Sequence, residues 1–189
     1  IEDNKPDAAA AIRETADGTP ISVYEIPVQY PQGAEKQLIY SATGRKVPTG
    51  GLPMDVGCVV QNVGTCAATN DAILDGTPLY ERVVTITGNA IHTPGNWRLR
   101  VGTPVAAALK LAGGIKADPA KVILGGPMMG LSIYSMDIPL LKGSSGIVLL
   151  SRNEIHQFTS EPCIRCGRCT DSCPMSLMPG SLSVQIENE

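Results

Sequence analysis

The sequence has 189 residues, 43% of them hydrophobic and 17% charged. That balance excludes wholesale disorder and allows one medium domain or two small ones. Lys and Arg number 15 against 18 Asp and Glu, a net charge of −3 that argues against nucleic acid as the main partner. Aromatics are 4% beside 20 Gly and 15 Pro, so the core must come from Val, Ile, Leu, Ala and Met, joined by many tight turns.

The chain opens at Ile1 rather than Met, in a polar and acidic run, and reads as a piece cut from a longer protein. Asn4 is a candidate N-cap, with Pro6 just inside a helix through Asp7-Ala-Ala-Ala-Ala-Ile12 that Gly18 closes. Ile21-Ser-Val-Tyr-Glu-Ile26 reads as a strand ended by Pro27. Glu35 to Ala42 reads as a helix stopped by Gly44, and Pro48-Thr-Gly-Gly-Leu-Pro53 as a turn. A short apolar segment, Asp55 to Val60, leads to a helix from Asn62 to Leu74 that Gly76 closes. Helices alternating with strands favour a parallel or mixed sheet here.

The pattern changes near Tyr80. Arg82-Val-Val-Thr-Ile-Thr87 alternates like a half-buried strand, and Gly88 to Gly95 turns the chain into a second strand, Trp97 to Val101. Trp97 is expected to pack its indole in that hairpin. Thr103 is expected to cap a helix over Pro104-Val-Ala-Ala-Ala-Leu-Lys-Leu-Ala112, ended by Gly113-Gly114. Lys121-Val-Ile-Leu124 is a further strand, followed by Gly125-Gly-Pro127. Hairpin, helix and strand in this order suggest a small α+β unit of β-grasp type. A last strand, Gly146 to Leu150, precedes a polar stretch. Apolar runs of this length fall far short of the ~20 residues of a membrane span, so no direct span is expected.

Cys163-Ile-Arg-Cys166-Gly-Arg-Cys169-Thr-Asp-Ser-Cys173-Pro174 carries the most information. It is C-x2-C-x2-C-x3-C-P, the bacterial ferredoxin-type run for a [4Fe-4S] cluster. Thiolates two residues apart on one coiled loop can each reach a different iron of a cubane. Gly167 would let the backbone pass close to the cluster, and Pro174 would turn the chain away. Arg165 and Arg168 would offset the negative charge of the ligated cluster. Zinc sites usually pair two C-x2-C arms across a longer loop, which this run does not resemble. The zinc scaffold remains a competing reading. In two-cluster ferredoxins the fourth Cys of a run ligates the other cluster, so Cys173 would serve either this cluster or a second. Cys58 and Cys66 lack a nearby partner motif and read as small buried core residues.

Six blocks together resemble one family, the C subunit of the Rnf electron-transport complex. They are Glu2-Asp-Asn-Lys-Pro6, Tyr30-Pro-Gln-Gly-Ala-Glu-Lys-Gln-Leu38, Thr49-Gly-Gly-Leu-Pro-Met-Asp-Val-Gly57, Gln61-Asn-Val-Gly-Thr65, Gly125-Gly-Pro-Met-Met-Gly130 and the Pro162-to-Pro174 cluster. Cobalamin reductase of the propanediol-utilisation type and the NADH-oxidising flavin subunit of complex I share the layout. The resemblance implies α/β plus α+β architecture in four parts. Residues 1–80 would be the C-terminal part of a Rossmann-like FMN/NADH domain and 81–134 a β-grasp SLBB domain. Residues 135–160 would connect them, with one strand, to a partial ferredoxin-type [4Fe-4S] segment at 161–189.

The resemblance also implies FMN, NADH and two [4Fe-4S] clusters in the full-length parent. It implies the other subunits of an Rnf-type membrane complex as partners, with ferredoxin as an indirect redox partner. The expected place is peripheral, on the cytoplasmic face of the bacterial cell membrane. The full-length subunit would be an NADH-linked oxidoreductase, and the fragment alone inactive. Alternatives are a cobalamin-reductase-type protein and an SLBB ligand-binding or docking module. By the same resemblance Glu35 takes the acidic position near the nicotinamide or isoalloxazine. Gln61, Asn62, Gly64 and Thr65 form the segment that closes on the flavin, with Asn62 as hydrogen-bond donor. Ala34 stands where the family often has a second Gly. The family's glycine-rich flavin phosphate loop and second cysteine run have no counterpart in the chain. Plainer readings stand beside these: Glu35 as a first-turn acid favourable to the helix dipole, and Asn62 as an N-cap. Gly125 to Gly130 reads as a structural bend, since it lacks the Lys and Ser/Thr of a P-loop. His92 and His156 receive no catalytic role.

Overall fold

A computed structural model describes residues 1–116, 119–155, 161–173 and 177–187. His156 and Pro174, singled out above, lie outside the described residues. The chain divides into two compact units, Ile1–Leu79 and Tyr80–Glu189.

The first unit is helical: α1 (Pro6–Ala16), α2 (Glu35–Thr43), a 3₁₀ turn (Pro53–Val56) and α3 (Val63–Leu74). Pro6 sits in the first turn of α1, where a missing N–H costs nothing. The N-cap is Lys5 rather than Asn4, and no side chain caps it. Asn4 Oδ1 instead accepts from Lys5 Nζ at 2.9 Å, and Lys5 also pairs with Glu2. Gly44, at φ 72°, ends α2 in the left-handed conformation that a side chain resists, and its N–H returns to the Tyr40 carbonyl.

The expected strand Ile21–Ile26 does not form. Only residues 1–3 run alongside it, giving one parallel bridge, Glu2 to Ile26, fixed by Ile26 N–H to Ile1 O and Asp3 N–H to Ile26 O, both 2.9 Å. A strand needs a partner along its length, and none lies there among the described residues. Arg13 of α1 pairs with Glu25 and holds the extended segment in place. Among the described residues of this unit, the buried hydrophobic side chains are Ala9, Ala16 and Ile39.

The second unit is built on a mixed five-stranded sheet of order β2-β1-β5-β3-β4. Its strands are β1 (Glu81–Thr87), β2 (Gly95–Arg100), β3 (Lys121–Leu124), β4 (Leu131–Ser132) and β5 (Gly146–Leu150). β1 and β2 form an antiparallel hairpin, in register from Glu81–Arg100 to Ile86–Gly95. β5 lies parallel to β1 and antiparallel to β3. The strand expected inside a connecting segment is therefore the central strand of the sheet. The reason is its apolar run, Gly-Ile-Val-Leu-Leu, buried from Gly146 to Leu149 as a strand covered on both faces must be.

Helix α4 (Val105–Leu111) packs Val105, Ala108 and Leu109 into the core that Val84, Ile86, Leu99, Ile147 and Leu149 supply from the sheet. Thr103 does not cap it. Pro104 is the N-cap, without a side-chain bond, because backbone carbonyls take the free helix amides. Val105 N–H donates to Ile138 O at 3.0 Å and Ala106 N–H to Met136 O at 2.8 Å. Trp97 packs against this core as expected, with its indole N–H buried and without a hydrogen-bond partner among the described residues. Gly88 is required where the chain leaves β1: at φ +111°, a Cβ there would lie 2.0 Å from Leu149 O. After β5 come a 3₁₀ turn (Arg152–Glu154), α5 (Arg168–Asp171) and α6 (Pro179–Glu187).

Candidate functional site

The residues read as flavin-facing lie at two helix starts in the first unit. Glu35 opens α2, exposed, as an acid in the first turn, where it complements the partial positive charge of the helix end. Asn62 is the N-cap of α3: its Oδ1 accepts from Gly64 N–H at 2.9 Å, and its carbonyl takes the N–H groups of Thr65 and Cys66. The plainer reading of Asn62 is therefore correct as local structure. It commits Oδ1 and leaves Nδ2 as the donor half of the amide. Gln61, Asn62 and Gly64 are exposed and Thr65 half-buried.

The end of α2 is tied to the 3₁₀ turn that precedes α3. Arg45, just past that helix, donates from Nη1 to Val56 O at 2.7 Å in the 3₁₀ turn. Sequence reasoning missed this bridge, since Arg45 and Val56 are eleven residues apart and match no local motif. Donors of this kind suit the polar edge of an isoalloxazine ring. They do not enclose its plane. An apolar cavity of about 390 Å³ in this unit is lined by Ile12, Ile21, Val23, Tyr24, Leu38 and neighbours, and by none of the five candidates.

Cys66 is exposed and Cys58 half-buried, so neither is the core residue expected. Cys66 sits on α3, which buries none of its side chains. Cys58 Sγ lies 3.7 Å from Val56 O and 4.0 Å from Arg45 Nη1, close to the same bridge.

The cysteine run occupies a loop of the second unit. Cys163, Cys166 and Cys169 are exposed and Cys173 half-buried. The backbone reverses twice inside the run, at Arg165 (φ 55°) and at Gly167 (φ 75°). Arg165 is the only described non-glycine residue with positive φ, a conformation uncommon for a long side chain. Amide groups already point at two sulfurs: Arg165 N–H donates to Cys163 Sγ and Leu177 N–H to Cys173 Sγ, each at 3.4 Å. Gly167 supplies the turn into α5, and a Cβ on it would meet nothing within 4 Å. Gly180 lies against the run as well: a Cβ on it would lie 3.6 Å from Cys163 Sγ, at van der Waals contact. That contact brings the start of α6 to the loop, and nothing in the motif announced it. Among the described residues, no three His, Cys, Asp or Glu side chains gather at metal-binding distance. What fits a cluster is the donor set of cysteine sulfurs and the amides that point at two of them.

Known protein families match along the same division. Residues 1–71 match the Nuo51 FMN-binding domain family, and residues 83–132 match the SLBB domain family. A flavin-domain region followed by an SLBB domain is thus the order that the resemblance implied. The chain is 53% identical over 184 residues to the C subunit of the proton-translocating ferredoxin:NAD(+) oxidoreductase complex of Clostridium ljungdahlii, covering 97% of the chain and 40% of that protein. It is 45% identical over 180 residues to the Na(+)-translocating counterpart of Acetobacterium woodii, covering 95% and 41%. It is 46% identical over 186 residues to the C subunit of the ion-translocating oxidoreductase complex of Yersinia pestis, covering 96% and 30%. The chain therefore spans less than half the length of these curated relatives. No described helix is long and apolar enough to cross a membrane. Over nearly all of its length the chain is thus similar to a part of the C subunits of ion-translocating ferredoxin:NAD(+) oxidoreductase complexes.

Proposed function

We propose that this chain is an electron-transfer segment of an NADH-oxidising, iron–sulfur subunit in a complex that couples NADH and ferredoxin to ion movement. The observation that carries the reading is the four-cysteine run lying in the same chain as a flavin-domain match. When bound, FMN would accept hydride and [4Fe-4S] would pass single electrons; both chemistries belong to the cofactors.

The protein's part is binding and electrostatics. Cys163, Cys166 and Cys169 would hold one cubane through thiolates, and Cys173 would serve that cluster or a second. The amides of Arg165 and Leu177 would stabilise charge on sulfur, and Arg165 and Arg168 would offset the anionic cluster. Glu35 would face the nicotinamide or isoalloxazine, and Asn62 would donate from Nδ2 while its Oδ1 holds the helix start. Partners would be the other subunits of the complex, with ferredoxin further along. The subunit would sit peripherally on the cytoplasmic face of the membrane.

The test is metal analysis of the full-length subunit, prepared and reconstituted without oxygen. Iron and sulfide should be near-equal and the protein brown. Cys163→Ser should remove most of the iron of that cluster, whereas Cys66→Ser should leave it intact. Colourless protein carrying one zinc would replace this reading with the zinc scaffold.

A further inference from the structure

Residues 21–26 carry the start of a hydrogen-bond ladder that stops partway along them. Ile1 N donates to Tyr24 O at 2.8 Å, Ile26 N–H to Ile1 O at 2.9 Å and Asp3 N–H to Ile26 O at 2.9 Å. These are consecutive rungs of one parallel pair, with Glu2 opposite Ile26. In such a pair the rungs are evenly spaced, and every second residue of a strand turns both its N–H and its C=O to the same neighbour. Ile26 uses both groups in this way. Tyr24 uses its carbonyl. The next groups in line are Tyr24 N–H, then the Ser22 carbonyl and N–H, and none of them has a partner among the described residues.

The elements on either side have the layout of a β-α-β unit. Parallel strands joined in sequence need a crossover of about a dozen residues or more, usually a helix. Residues 1–3 reach residues 24–26 through α1, which is 11 residues long, and Arg13 of α1 pairs with Glu25. The first strand of that unit is the short one: residues 1–3 stand beside an extended segment that begins at Ile21. The apolar cavity of about 390 Å³ lies at the same gap, with Ile1, Ile12, Tyr24 and Leu38 in its lining.

Register and covalent continuity fix the occupant. A strand from another protein would have to end its pairing at the point where Ile1 begins its own. The polypeptide that leads into Ile1 is already aligned with the open rungs. Most of the length of the curated relatives lies outside this chain, which covers 40% of one and 30% of another. We infer that, in the full-length protein, the residues leading into Ile1 continue as a β-strand parallel to Ile21–Ile26, complete a β-α-β unit around α1 and close the cavity beside Ile1 and Tyr24. The register follows from the rungs already formed. The residue immediately before Ile1 lies opposite Tyr24, and the third before it lies opposite Ser22. The second before it accepts from Tyr24 N–H and donates to the Ser22 carbonyl.

The experiment uses the full-length protein. Hydrogen exchange should find the amides of Ser22 and Tyr24 at least about 100-fold slower than in an unfolded peptide, like that of Ile26. In a second sample a photoreactive phenylalanine derivative replaces Tyr24, an aromatic side chain that is 63% exposed in this chain. Irradiation should cross-link it within the same polypeptide, at the few residues just before Ile1, as mass spectrometry of the digest would map. Free exchange at both amides in a folded protein would overturn the inference. So would a cross-link to another subunit, to a second copy, to lipid or to a distant part of the polypeptide, no cross-link at all, or a natural polypeptide that starts at Ile1. Neither readout depends on iron, sulfide or flavin. A colourless, zinc-bearing protein would therefore count against the functional reading and leave the strand in place.

Discussion

In the second unit, Val84, Ile86, Ile147 and Leu149 of the sheet close on Val105, Ala108 and Leu109 of α4, and each is buried. In the first unit, Ile21 and Tyr24, each 63% exposed, lie on an extended segment with no sheet to join, beside an open apolar cavity. The two have similar residue types and differ in pairing. Strands β1 and β5 are far apart in sequence yet meet, so their alternate side chains find a shared interior. Among the described residues, residues 21–26 pair backbone to backbone only with residues 1–3, so alternation there builds no sheet. Apolar content makes burial possible; long-range pairing decides whether it happens.

Gly88 is the position where the contrast between the units can be broken most severely. Gly88→Ala drives a Cβ into the Leu149 carbonyl at a positive φ, so β1 and β5 must separate. The expected cost exceeds about 4 kcal/mol, among the largest single-residue effects. Chemical denaturation followed by circular dichroism should find the second unit unfolded or nearly so. The matched change in the first unit, Gly50→Ala, meets nothing within 4 Å and carries only the left-handed backbone penalty at φ +76°. That is about 1–2 kcal/mol.

Next in size is a core truncation. Leu149 is fully buried between β1 and β3, and Leu149→Ala should cost about 2–5 kcal/mol, read as a lower denaturation midpoint at unchanged slope. Ile21→Ser in the first unit should change stability by less than about 0.5 kcal/mol, as an exposed position does. Equal costs at the two sites would mean that the cavity beside Ile21 closes in solution, and the contrast between the units would fail.

How much of this was legible depends on the range of the interaction. Gly44 and Gly76 end helices through their own backbone preference, and Asn62 caps α3 two residues away, so local spacing located them. β1 and β5 were legible as strands, but the central place of β5 was not, because order in a sheet is a long-range property. Thr103 had the right chemistry for a cap and lost to carbonyls of residues 136–138, which local reading cannot see. At the candidate site the cysteine spacing was plain in the sequence. The Gly180 approach to Cys163 and the Arg45 bridge to the 3₁₀ turn were hidden, since each joins segments that no motif connects.

The smallest effect is also the one that separates the two readings of Asn62. As an N-cap, its Oδ1 serves Gly64 N–H, and Asn62→Ala should cost about 1 kcal/mol of stability, seen as a small fall in melting temperature. Asn62→Asp keeps an acceptor at the same place and adds a negative charge at the helix start, so stability should hold or rise slightly. Asp has no N–H to give. If Nδ2 donates to flavin in the full-length subunit, the Asp variant should bind FMN about tenfold more weakly while melting like the parent, and Ala should lose both. If Asn62 is only a cap, Asp restores both properties, because nothing but the acceptor was in use. Flavin titration beside a thermal melt therefore distinguishes a residue that builds the helix from one that builds the helix and reads the cofactor.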